Sequence, residues 1–481
     1  MKYFDSIREK YSNVSIPIKA SLFYTICSVL QKIISLVTMP IFTRVMTTEE
    51  YGEYTLFITW QSVMLVFTSL SLHNAIFNKA MVKYSDDKDG VVSAFYGLII
   101  TITVCALIVS VIGMDIVCSL SRLSSNIIIL LFIDLLFAPM MSIWMARERF
   151  EYKYKHVVIA SILLALMNPL LGLASIIVFD DKAFGRILSV VLVDVGIGIV
   201  LFVLALRKNK RLYDREYWGF ALKNNIPMIP HYLSGMLLNH ADRIMISHMC
   251  NISYAAIYGV AYSAAMTIQI VVSAINASLT PWLYRSLQSE TLKPIKKINN
   301  ELIIVVAIFV GIFMLFGPEA MYILGGKEYL EAKNVFPYIA CSVFFIFLYC
   351  RLADVEFFYG KSKYILTASV MSLCINVFLN WLLIPIYGYV AAGVTTLISY
   401  VVDSFIHCVF IYHILGKDKA KVIYDFKLIF LLSFSMIALS IIVMWLYNYA
   451  VIRYVVIFIC LMLACIFRKR IVQLVKQLKK Q

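Results

Sequence analysis

Charge is scarce in this chain: Asp, Glu, Lys and Arg make up only 15% of its 481 residues, where a soluble domain carries about 25%. Other absences narrow the chemistry. The phosphate-cradling pattern G-x-x-x-x-G-K-[ST] and a kinase-type glycine loop are both missing, and Gly325-Gly326 reads as an external turn. ATP is therefore not the direct energy source. The seven histidines contain no H-x-x-x-H, and His231 and His240, nine apart on one helix, share no face for a metal. Among the ten cysteines there is no C-x-x-C pair. Cys27, Cys105, Cys341, Cys374, Cys408 and Cys460 lie inside apolar runs and read as small core hydrophobes. Neither a metal nor a cofactor is expected, and an enzyme is not.

What is present is apolar. Hydrophobic residues make up 62% of the chain and its mean hydropathy is +0.85, so this is a membrane protein. At about 20 residues per span the length holds a dozen or more helices and no soluble catalytic domain. The charged N-terminus has no A-x-A-like site and leads into a full-length span, unlike a cleaved signal peptide. Apolar helices are expected at 18–43, 51–72, 91–117, 126–145, 157–179, 184–206, 226–249, 255–279, 298–324, 336–353, 364–386, 390–413, 428–446 and 451–467. The net charge of +15 fits anchoring beside an anionic membrane better than nucleic-acid binding. With each cation assigned to its nearest connection, 34 of the 43 Lys and Arg residues fall on the termini and the even-numbered connections. Seven fall on the odd-numbered ones, and Lys32 and Arg243 remain inside spans. That alternation places both termini in the cytoplasm and makes the number of spans even.

The first twelve helices read as two halves. Near an offset of 204, Tyr54 falls on Tyr258. Near 208, Glu148 falls on Glu356, Ala160-Ser161 on Ala368-Ser369, Asn168 on Asn376 and Gly185 on Gly393. Order and spacing are nearly kept, as duplication leaves them. The expected fold is an all-α integral membrane protein of about 14 transmembrane helices, with two six-helix lobes related by pseudo-twofold symmetry and two C-terminal helices. The domains are 1–206, an N-terminal lobe; 207–225, a cytoplasmic amphipathic linker; 226–415, a C-terminal lobe; and 416–481, two further helices and a basic cytoplasmic tail. The linker, basic with Tyr213, Tyr217, Trp218 and Phe220 interleaved, suits either an interfacial helix or a surface for a partner or anionic headgroup. Ile471, Leu474, Val475 and Leu478 give the tail an interfacial face.

Polar residues form stripes inside the spans. Tyr24, Ser28, Gln31, Ser35 and Thr38 share one face of the first helix, with Lys32 adjoining. His231, Gly235, Asn239 and Arg243 step by four along the seventh, and Tyr258, Tyr262, Gln269, Ser273, Asn276 and Thr280 mark the eighth. Hydroxyls and amides also pack helices together. Ionisable groups are costlier, at least ~2.5 kcal/mol at mid-bilayer, and call for a cavity or a partner. Lys32, Asp134, Asp194 and Asp403 lie near the middle of spans, with Arg351, Asp354 and Glu356 near the inner mouth. Asp242 and Arg243 could pair structurally. Together the stripes and charges describe a polar cavity.

Three segments carry a resemblance: MPIFTRVMTTEEYGEYTLF, NHADRIMISHMCNISYAAIYGVAY and INVFLNWLLIPIYGYVAAGVTTLISY. With the R-x-(L/M)-x-x-x-E-Y-G turn from Arg44 to Gly52, Asp242-Arg243, and N-x-x-x-N-x-x-x-I-P-x-Y-G from Asn376 to Gly388, the chain resembles the Wzx-type oligosaccharide flippases. These are the polysaccharide-transport branch of the superfamily that also holds the MATE drug exporters. One departure is Tyr389-Val390 before Ala391-Ala392, where the family usually has a second glycine. The resemblance implies a multi-pass inner-membrane protein that moves undecaprenyl-diphosphate-linked oligosaccharides outward for O-antigen, capsule or exopolysaccharide synthesis. Implied partners are that lipid-linked substrate, membrane lipids, and the polysaccharide polymerase and chain-length machinery; no nucleic acid is among them. Lys32, Arg243 and Arg351 then suit the diphosphate. Tyr24, Gln31, Tyr258, Tyr262, Asn239 and Gln269 suit sugar hydroxyls and faces, with His231 on the same cavity stripe. Asp134, Asp194 and Asp403 suit coupling to protons or sodium. The competing expectations are a MATE-like multidrug or cation antiporter, whose cavity should be acidic, and a flippase for the lipid-linked peptidoglycan precursor.

Overall fold

A computed structural model shows an all-α protein and describes residues 16–460 and 462. The expected helical face at 471–478 lies outside the described residues. In chain order the helices are α1 (Ile16–Val45), α2 (Thr48–Thr68), α3 (Ala75–Lys83), α4 (Lys88–Ile112), α5 (Met114–Ser121), α6 (Ser125–Phe150), α7 (Tyr154–Val178), α8 (Lys182–Lys208), α9 (Arg215–Asn225), α10 (Ile229–Met249) and α11 (Ile252–Gln288). They continue with α12 (Lys293–Leu315), α13 (Gly317–Gly325), α14 (Phe336–Phe358), α15 (Ser362–Tyr387), α16 (Tyr389–Ile423), α17 (Phe426–Leu446) and α18 (Ala450–Cys460).

Each expected span coincides with helix over its described residues; 91–117 and 298–324 each run through two helices, and the last span is followed to Cys460. Eleven of the described helices are long and apolar enough to cross a bilayer. The remaining three are α2, α10 and the described part of α18. Glu49, Glu50 and Glu53 dilute the hydropathy of α2, and His231, Asn239, Asp242 and Arg243 that of α10. Local chemistry sets the ends. Thr47 and Glu50 form a reciprocal capping box at the start of α2, and Asp181 caps α8 by accepting from the Phe184 N–H. The long helix α16 is broken at Gly416, whose φ of 74° only glycine adopts without strain. This explains why the apolar pattern stops near residue 413 although helix resumes to Ile423.

The chain divides into two compact units, Met1–His240 and Ala241–Gln481. In the first, α6 and α7 pack on α8, and α1 packs on α7. A connector and α9 lie against α4. The Trp218 indole N–H donates to the carbonyls of Ala94 at 2.8 Å and Leu212 at 3.2 Å, and the Tyr217 hydroxyl donates to Asp87. That phenol is pushed up to about 12 by burial, reinforced by Asp87. Gly97 makes the contact possible, since a Cβ there would stand 2.0 Å from the Leu212 carbonyl oxygen. In the second unit α14 is the central helix, buried along most of its length and packed by α11, α12, α16 and α17. Elsewhere apolar side chains face outward, among them Ile112, Ile177, Val178 and Phe430, as lipid-facing helices require.

Candidate transport site

The first unit holds a cavity of about 370 Å³ between α1, α2, α7 and α8. Gln31, Ser35 and Thr38 of the α1 stripe line it, joined by Tyr54, Gln61, Asn168, Arg186 and Asp194. The Gln31 amide donates to the Ser161 carbonyl at 3.2 Å. Gln61 donates to Asp134, which is buried, and the Asp194 carboxyl lies against that of Asp134. Two of the three proposed coupling carboxylates are thus together, although 60 residues apart in sequence.

Arg186 is the cation of this cavity and is 6% exposed. Its Nη1 donates to the Asn168 carbonyl at 3.3 Å and the Ser189 hydroxyl at 3.0 Å, and its Nη2 to the Tyr54 hydroxyl at 3.2 Å. The guanidinium lies over the rings of Phe42 and Tyr54, 4.5 and 4.7 Å from their centroids. Gly172 leaves the room it needs, since a Cβ there would be 2.9 Å from Nη1.

The second unit centres on Asp242, 1% exposed. It accepts from the Tyr258 hydroxyl, from the Asn380 amide at 2.6 Å and from the Thr396 hydroxyl at 2.7 Å. Thr395 donates to Asn380, which in turn donates to Asn376 at 3.2 Å. A second cluster joins Asp403 to the Ser372 hydroxyl at 3.0 Å, and His407 to Glu356 at 2.8 Å. The other imidazole nitrogen of His407 is 3.9 Å from Asp403. Arg351 is fully buried, donating to Asn276 at 3.0 Å, Asp354 at 3.1 Å and Asn299 at 3.4 Å.

The remaining expected residues are more scattered. Lys32 is exposed and outside the cavity that its neighbour Gln31 lines. The Tyr24 hydroxyl is buried, with the Arg149 guanidinium over its ring at 5.4 Å. Arg243 lies over the Tyr262 ring at 5.1 Å, while Asp242 takes other partners. Adjacent helical residues point about 100° apart, so Asp242 and Arg243 do not face each other. Asn239 is exposed and donates to the Gly235 carbonyl at 2.7 Å, His231 packs beside Tyr232, and Gln269 is half-buried.

Residues matched between the two halves keep some partner types and differ in others. Tyr54 accepts from Arg186, whereas Tyr258 donates to Asp242. Glu148 bonds His156 at 2.6 Å as Glu356 bonds His407. Gly185 admits Phe179 of the connection before α8, and Gly393 admits Val335 at the start of α14. Sequence inspection missed Arg186, Tyr54, Gln61, Asn380, Thr395, Thr396 and His407 as site residues. For Tyr54 and Asn376 the repeat itself was the available signal.

Comparison with known proteins agrees with the geometry. Residues 18–287, more than half of the chain, match the family of polysaccharide biosynthesis proteins. An Lsg locus protein of Haemophilus influenzae is 21% identical over 367 residues, covering 75% of this chain and 89% of its own. The lipid II flippase MurJ, in an inward closed conformation, superposes with a TM-score of 0.68 at 12% identity over 94% of this chain and 99% of its own. An inward-facing multidrug resistance MATE family transporter of the MOP superfamily reaches 0.59 at 13% identity, over 82% and 95%. The chain therefore belongs to the polysaccharide biosynthesis protein family, as its resemblance to Wzx-type flippases implies, and has the fold of MOP-superfamily flippases and transporters.

Proposed function

We propose that the protein translocates polyprenyl-diphosphate-linked oligosaccharide units from the cytoplasmic to the outer leaflet of the inner membrane, with both of its termini cytoplasmic, in the assembly of a surface polysaccharide. The observation that carries this reading is the cavity of the first unit, whose walls are amides, hydroxyls and a buried guanidinium. Amides and hydroxyls suit sugar hydroxyls, and a polyprenyl tail stays in lipid while the polar head crosses. Lys32, Arg243 and Arg351 remain candidates for the diphosphate. Arg351, already held by three partners, acts more as a brace than as a free hand. Asp134 with Asp194, and Asp403 with His407, are candidate ion-coupling groups, because each is a carboxylate held beside another ionisable side chain inside a helical unit. Transport would proceed by alternating access.

The family match favours this reading over a cationic-drug antiporter, since a buried Arg186 disfavours a cationic guest. Deleting the gene should remove one surface glycan and leave drug resistance and growth unchanged. Lys32→Ala should likewise lose the glycan at normal protein abundance. Drug hypersensitivity with intact glycan would instead identify an antiporter, and lysis with a stalled peptidoglycan precursor would identify a flippase for that lipid.

A further inference from the structure

The second unit buries a titratable cluster that no fixed cation balances. Glu356 of α14 and Asp403 and His407 of α16 are each 3% exposed or less. His407 Nδ1 is 2.8 Å from a Glu356 oxygen, and its Nε2 is 3.9 Å from the Asp403 carboxylate. Among the described residues the imidazole is the only cationic group within ion-pair distance of either acid. Arg351, also on α14, is spent on Asp354, Asn276 and Asn299. The other titratable neighbours are Tyr349 and Cys350 of α14, Cys408 of α16, Tyr424 beyond it, and Tyr262 of α11. These are phenols and thiols and bring no positive charge. With a neutral imidazole and two carboxylates the cluster would bury two negative charges, and each proton taken up removes one. Uncompensated buried charge is costly, so this is a place where protons reside.

The geometry also gives those protons a route. Glu356 stands two residues before the end of α14 at Phe358, the end that the charge alternation assigns to the cytoplasm. Asp403 is one turn deeper along α16 than His407. The Tyr349 ring stacks on the imidazole at 5.7 Å and Phe410 meets it edge-on at 6.5 Å, which holds its two nitrogens toward different acids. The second Glu356 oxygen and His407 Nε2 are buried without hydrogen-bond partners among the described residues. A closing movement of about 1 Å brings Nε2 within hydrogen-bond distance of Asp403. Beyond Asp403, the buried Ser372, Asn376 and Asn380 step by four along α15. Ser372 donates to Asp403, and Asn380 donates to Asn376 and Asp242, so polar atoms continue from the triad to Asp242.

We propose that Glu356, His407 and Asp403 form a proton relay within the second unit, with the His407 imidazole as the carrier. In one transfer the Glu356 carboxylic acid gives its proton to Nδ1, and the imidazolium gives the proton on Nε2 to the Asp403 carboxylate. One O–H bond breaks and another forms. The imidazole ends neutral in the opposite tautomer, and the charge of the cluster is unchanged. A hard cation suits a cage of oxygens, which two acids separated by an imidazole do not form. That this proton is the ion coupled to translocation rests on the transport reading above.

The test uses the full-length protein in lipid nanodiscs without substrate. Infrared difference spectra are followed in time after a jump from about pH 8 to about pH 5, the range in which imidazoles titrate, in sodium and in potassium buffer. The growing band of protonated carboxyl groups contains an Asp403 component, defined as the part missing in Asp403→Asn. The native protein should show it, alike in both salts. His407→Gln should slow its growth at least about tenfold with the helical amide band unchanged, because an amide cannot pass a proton between the acids. Glu356→Gln keeps an acceptor for the imidazole, should slow the growth as well, and decides alone if His407→Gln does not fold. A native protein without the Asp403 component, or native-like growth in either folded variant, overturns the relay. Suppression of the component by sodium would assign the site to a metal cation and overturn it too. Those failures would leave the transport reading standing. Conversely, a gene deletion that spares every surface glycan would overturn the transport reading while leaving the infrared result intact.

Discussion

Asp242 offers the sharpest energetic test, because one side chain terminates three hydrogen bonds inside a single unit. Replacing it by leucine removes every acceptor and enlarges the side chain, so overpacking adds to the loss. Part of the loss is recoverable. The Tyr258 and Thr396 hydroxyls are 3.3 Å apart and can satisfy one another once, and the Asn380 amide keeps its bond to Asn376. One hydroxyl proton and one amide proton are then left without acceptors. At about 1–3 kcal/mol per buried orphan, Asp242→Leu should cost roughly 2–6 kcal/mol before overpacking is added. Asp242→Asn keeps the shape but sets an amide N–H against either Asn380 or the two hydroxyls, and should cost about 1.5–3 kcal/mol. Denaturant or thermal unfolding in detergent measures both. A double-mutant cycle adds the decisive comparison: Tyr258→Phe removes one stranded donor, so Asp242→Leu with Tyr258→Phe should lose less than the two single losses together. A leucine variant as stable as the native protein, or strictly additive losses, would refute the network as described.

Two further perturbations address the frame around the site. Gly97→Ala drives a methyl into the Leu212 carbonyl and should cost at least about 1–3 kcal/mol as overpacking. It should also expose the basic connector to trypsin, and a digestion pattern matching the native protein would rule that out. Asp425 caps α17, accepting from the Leu428 N–H at 3.3 Å with Lys296 3.4 Å away. Slight burial pushes this carboxyl up, but the N–H and the ammonium outweigh it and hold it below its ordinary value. Its contribution is therefore present above the unfolded carboxylate value and disappears as pH falls through the lowered folded one. Asp425→Ala should lose about 1 kcal/mol at neutral pH, and the gap should close on acidification; a gap independent of pH would contradict the assignment.

Helices were the most legible part of the molecule, because apolar length and alternating basic flanks each report one element at a time. Even the face of α1 was readable, and Gln31, Ser35 and Thr38 do share a cavity. The partners were not readable. Asp134 and Asp194 meet only once α6 packs on α8, and no periodicity within either helix contains that fact. Arg186 escaped attention for a different reason. It stands one turn inside α8, where a cation is the ordinary flank of a span, and only burial distinguishes it from such a flank. Asp242-Arg243 misled through adjacency, since sequence neighbours on a helix diverge in direction while residues more than a hundred positions away supply the bonds.

The docking of the connector on α4 bears on how the protein is made. Asp87, Ser93, Ala94 and Gly97 receive Tyr217, Trp218, Leu212 and Asn209, so every group on both sides of that contact lies within the first 218 residues. All of them have left the ribosome before the second unit is complete, at a few to tens of residues per second. The nascent first unit can seal its trailing end on itself while the second is still being synthesised. This spares its unpaired helix ends from competing with the apolar helices that arrive later in synthesis.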